Sequence, residues 1–84
     1  MKYSLEIHGI AEDTLRGYLL KSNGETAADG SIAGPGWVAT VTRKPDYVFR
    51  QMRLCCFVVE LEGEEEAAAA AWERFKLSIL RPGG

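Results

Sequence analysis

The sequence predicts an α+β domain, a single antiparallel sheet with two helices on one face. Residues 2–8, "KYSLEIH", alternate strictly, with Tyr3, Leu5 and Ile7 on one side and Lys2, Ser4, Glu6 and His8 on the other, the period-2 pattern of a half-buried strand. Residues 63–75, "GEEEAAAAAWERF", place Ala68, Ala71, Trp72 and Phe75 on one helical stripe behind three glutamates. Between them lie "WVATVTR", which alternates again, and "RLCCFVVELEG", apolar on both faces over most of its length. The latter pattern predicts a central strand over 53–61.

After Gly9 the spacing changes to Ala11, Leu15, Tyr18, Leu19 and Ser22, with Glu12 and Asp13 early. This predicts a first helix whose anions sit at the positive end of its dipole and whose left-handed stop is Asn23-Gly24. Gly17 inside it marks a weak point or a close backbone approach. The stretch "GETAADGSIAGPG" is long for a connector in so small a domain and leaves room for a short edge strand at 31–33. Lys44-Pro45-Asp46 reads as a turn, because proline presets φ and removes a donor. "YVFRQM" fits either a hairpin loop or a continued strand, and residues 76–80 fit either a prolonged helix or a short last strand. Pro82 ends either one.

The order strand, helix, strand, strand, helix, with a short C-terminal strand left open, resembles the ferredoxin-like α/β plait (β-α-β-β-α) across most of the chain. That resemblance implies that the first and third strands are antiparallel neighbours, with Lys2 opposite Glu60 and Glu6 near Cys56. The RNA-recognition domain shares the element order, and "LEIHGI" follows its first-strand skeleton at Leu5, Ile7 and Ile10. The stacking chemistry is absent, however: Glu6 occupies a base-stacking position, Leu54 replaces a glycine, and Cys55 and Glu60 replace aromatics.

A formal charge of −2 and a pI near 5.3 give no surplus of positive charge for a phosphate backbone, so nucleic acid is not an expected partner. No window reaches the roughly 18–20 apolar residues of a membrane helix, and the first residues lack a cleavable leader pattern, so a cytoplasmic location is expected. Cys55 and Cys56 are adjacent, pointing to opposite faces of a strand, and with one histidine in 84 residues the spacing pattern of a zinc site is missing. Neither metal nor cofactor is expected. One Asn and one Gln against abundant Glu, Ala and Arg hint at a hot environment.

No catalytic constellation stands out. His8 with Glu6 two residues earlier is the one acid-base pair on a common strand face, and it reads first as surface. Gly34 and Gly36 read as turn residues and Trp37 as core filling, although their loop could border a ligand. Arg43 and Arg53 complete the candidate binding set. The chain closes on "LRPGG", and an extended Gly83-Gly84 tail over 81–84 would suit activation of a terminal carboxylate. Against that, a sulfur-carrier or ubiquitin-like domain begins with a strand hairpin and runs from its last central strand into the tail, whereas a helix is expected here in both places.

The reading from sequence is therefore one domain, 1–84, acting without catalysis as an interaction or ligand-binding module and self-associating as a dimer through the apolar sheet face. A small dimeric enzyme using His8 and Glu6, and a Gly-Gly-tailed carrier, are the alternatives.

Overall fold

The computed structural model describes residues 1–80; the expected tail at 81–84 lies outside the described residues. Alternation carries the chain through strand β1 (Lys2–His8), and Gly9, at φ 83°, turns it into helix α1 (Glu12–Leu20). Leu15 and Leu19, four apart, are the buried stripe of α1. Asn23, at φ 67°, takes the left-handed conformation that stops the chain from continuing as helix. The glycine-rich stretch then folds into a small hairpin, β2 (Glu25–Thr26) and β3 (Ile32–Gly34). In its loop, Asp29 accepts hydrogen bonds from the Ser31 backbone N–H and hydroxyl.

Strand β4 (Trp37–Phe49) and strand β5 (Met52–Gly63) form the longest pairing, and helix α2 (Glu65–Leu80) closes the described chain. All five strands are antiparallel to their neighbours, in the order β1-β5-β4-β3-β2. Both helices cover one face. There Ile7, Ile32, Trp37, Ala39, Phe57, Val59 and Leu61 from the sheet pack against Leu15 and Leu19 of α1 and Ala68, Ala71, Trp72 and Phe75 of α2. Of the two apolar rows of β5, the one containing Cys55, Phe57, Val59 and Leu61 faces this core, while Leu54, Cys56 and Val58 face away.

This sheet corrects the plait expectation. No strand follows α2 among the described residues, and the β2–β3 hairpin adds two strands on the far side of β4. The open choice at 76–80 falls to helix because Phe75 is fully buried and Ile79, four residues on, packs against the same core. A strand would break that stripe. Ser78 Oγ donates back to the Arg74 carbonyl at 3.0 Å, a further helical contact.

The expected turn at Lys44-Pro45-Asp46 is a bulge instead. Without an N–H, Pro45 cannot join the ladder, and the pairing to β5 slips between Lys44 and Tyr47 before resuming. Reversal comes later, at Arg50-Gln51 between the paired Phe49 and Met52, with Arg50 at φ 58°. The β4–β5 hairpin therefore runs beyond the helices as an arm, and the molecule extends 42 Å along its longest axis. Register also differs from expectation by two residues, with Lys2 opposite Glu62 and Glu6 opposite Val58. The expected side-chain partners still meet diagonally: Lys2 Nζ lies 3.5 Å from Glu60.

Candidate functional site

On the helix-free face, β1 presents Glu6 and His8 and β5 presents Cys56, because His8 is paired directly with Cys56. Two-residue periodicity puts Glu6 beside them. Cys56 Sγ donates to Glu6 Oε1 at 3.1 Å, and His8 Nε2 lies 3.4 Å from the same oxygen. From β4, Lys44 is paired with Cys56, and Tyr47, brought onto this face by the bulge, stacks on the His8 ring at 4.3 Å and 11°. Cys56 is only 3% exposed.

The electrostatics follow from the contacts. The hydrogen bond from Cys56 holds the Glu6 carboxyl below its ordinary range, with help from His8. The reverse side of that bond, together with burial, pushes the Cys56 thiol up. Cys56 is therefore a poor free nucleophile at neutral pH. Glu6, His8 and Cys56 are the described residues that bring metal-ligating atoms together, all within 4.8 Å of one another.

The other sequence candidates lie elsewhere. Gly34 and Trp37 are paired across the Pro35-Gly36 turn, with Pro35 at the first central position and Gly36 at φ 80° in the second, as a type II turn demands. The Trp37 indole lies against the Gly34 backbone so closely that any side chain there would strike it. Trp37 is buried in the core and the loop serves its packing. A shallow cleft of about 220 Å³ runs past Pro35 and Trp37 to Ala67 and Arg74, smaller than the roughly 300–1,000 Å³ of ordinary small-molecule sites. Arg43 borders a separate hollow at the start of α1 with Glu12 and Asp13, while Arg53 is paired with Val48 on the arm. Of the seven candidates, the fold joins only Glu6 and His8 to each other at polar contact distance.

Sequence reasoning put Glu6 near Cys56, as the 3.1 Å contact has it, and missed Lys44 and Tyr47 as neighbours of that pair. Pairing β1 against β5 was the available signal, and it pointed to Cys56; Tyr47 carried none, because its position depends on the bulge at Pro45.

A family model described as archaeal MoaD-like protein matches residues 3–84, nearly the whole chain and including Gly83-Gly84. No curated protein matches it. No helix among the described residues is long and apolar enough to cross a membrane.

Proposed function

Since the chain belongs to the archaeal MoaD-like family, we propose that it is a small carrier protein whose working group is the carboxylate of Gly84 and whose cargo is sulfur. The family match through Gly83-Gly84 carries this reading. In the proposed cycle an adenylating partner joins the Gly84 carboxylate to the adenylyl group of ATP, releasing pyrophosphate. A sulfur nucleophile then attacks the acyl carbon and AMP leaves, so a C–S bond replaces the C–O bond to the adenylate. The thiocarboxylate sulfur then attacks an electrophilic carbon of the acceptor and displaces its leaving group, and water cleaves the acyl C–S bond, restoring the carboxylate and leaving the sulfur on the acceptor. The two terminal residues suit this because glycine has no side chain to obstruct an adenylating site.

The family is a β-grasp one, and this chain departs from the carrier order in two places. Helix α1 follows β1 with no intervening hairpin, and α2 lies between β5 and Arg81. Element order thus set the sequence reading against a carrier, while the match over residues 3–84 supports it. The reading also assigns the body of the protein a binding role without chemistry of its own. The exposure of Tyr47, Val48, Phe49 and Met52 on the arm supports a partner contact there.

The test is intact-mass spectrometry after incubation with a cognate adenylating enzyme, ATP and a sulfide source. The carrier reading expects the mass gain of one sulfur replacing one oxygen on the C-terminal peptide, lost on deletion of Gly84 and kept in His8→Ala. An unmodified Gly84 together with an activity that His8→Ala abolishes would replace it with the enzymatic alternative.

A further inference from the structure

We propose that Glu6, His8 and Cys56 form a three-ligand site for a divalent transition-metal ion of the zinc type on the helix-free face of the sheet. The donor atoms already lie near the required geometry. Cys56 Sγ and His8 Nε2 stand 3.1 Å and 3.4 Å from Glu6 Oε1, and all three atoms fall within 4.8 Å of one another. An ion bound tetrahedrally at about 2.0–2.3 Å from each donor would separate them by roughly 3.3–3.8 Å. Two of the three separations are within a few tenths of an ångström of that range.

The ligands are held on rigid elements. His8 and Cys56 are directly paired across β1 and β5, Glu6 is two residues before His8 on the same face, and the stacked Tyr47 ring holds the imidazole plane. One thiolate, one imidazole and one carboxylate match a borderline-soft ion and disfavour calcium or magnesium, which take oxygen donors. Two anionic ligands neutralise the dication, so Lys44 beside Cys56 meets an uncharged complex and does not oppose it strongly. As the Sγ–metal bond forms, the S–H bond breaks and its proton passes to solvent. Glu6 and His8 are exposed, which leaves a fourth position open to water.

The experiment is a Co²⁺ titration of the reduced full chain, followed by displacement with Zn²⁺. The site predicts one equivalent, with visible bands of tetrahedral cobalt and a sulfur-to-cobalt charge-transfer band that zinc removes. Cys56→Ser should lose the charge-transfer band. Cys55→Ser should keep it, since Cys55 faces the opposite side and donates to the Ile10 carbonyl. His8→Ala should weaken binding by more than about 100-fold, beyond the 10–100-fold typical of outer-shell changes. His8 is exposed, so that variant decides the matter even where Cys56→Ser fails to fold. Absence of the charge-transfer band at stoichiometric cobalt, or its survival unchanged in His8→Ala, overturns the proposal. Deleting Gly84 should leave the titration unaltered, which separates this outcome from that of the carrier cycle.

Discussion

Glu6 shows how a single contact shapes two titrations. Its carboxyl is held below the ordinary value of 4.5, first by the hydrogen bond from Cys56. A depressed folded-state pKa contributes stability above the unfolded value, and that contribution is lost as pH falls through the folded one. The Cys56 thiol is raised above 9.0, first by the same hydrogen bond. Its contribution is complete below that pH and fades as pH rises past it. Urea unfolding of the metal-free chain and of Glu6→Gln should therefore differ by a constant amount near neutrality. The gap should narrow below pH 4.5 and again above pH 9.0. A gap independent of pH would mean that the contact does not form. Of this cluster, Glu6 and His8 were legible in the sequence through strand alternation, and Cys56 only as a neighbour of Glu6 across the expected strand pair. Cys56 is buried, and its thiol donates to the Glu6 carboxylate.

Among the elements, α1 holds the clearest removable weakness. Gly17 sits inside the helix, nothing lies within 4 Å of where its Cβ would be, and its φ is helical and negative. The alternative reading, a close backbone approach, is therefore excluded. Gly17→Ala should raise unfolding stability by about 1 kcal/mol, measured by urea denaturation. A loss of stability would show that the helix packs more tightly at this point than its contacts indicate. Both helices were legible because their stripes, Leu15 with Leu19 and Ala68, Ala71, Trp72 with Phe75, are the residues that became buried. The hairpin reversal was not. Arg50-Gln51 carries no glycine or asparagine, and the proline that suggested a turn five residues earlier was accommodated as a bulge.

For the molecule as a whole, the arm carries the main group of exposed apolar side chains among the described residues. Val48, Phe49 and Met52 are 60%, 52% and 59% exposed, whereas the helix-free face carries Lys2, Thr40, Glu60 and Glu62 among its apolar residues. The dimer expected through the sheet stays a proposal, with the exposed apolar end of the sheet at the arm as its contact. Light scattering across a concentration series should give a mass above 9.2 kDa that returns to 9.2 kDa in Phe49→Asp. A constant monomer mass for the unaltered chain would overturn the self-association and leave the arm free for a different partner.

Local pattern alone determined the strands at 2–8 and 53–61, the two helices, the stop at Asn23 and the acidic balance, because each depends on neighbouring residues and on a short period of burial. The two terminal glycines on which the proposed carrier role rests were also visible, though element order argued against that role. Only the tertiary structure decided the place of β2 and β3 beyond β4, the inward row of β5, the length of α2 and the convergence of His8 and Cys56 on one oxygen of Glu6. Those depend on pairing between residues as far apart in the chain as His8 and Cys56. A two-residue change in register alters such partners without changing which face each side chain occupies.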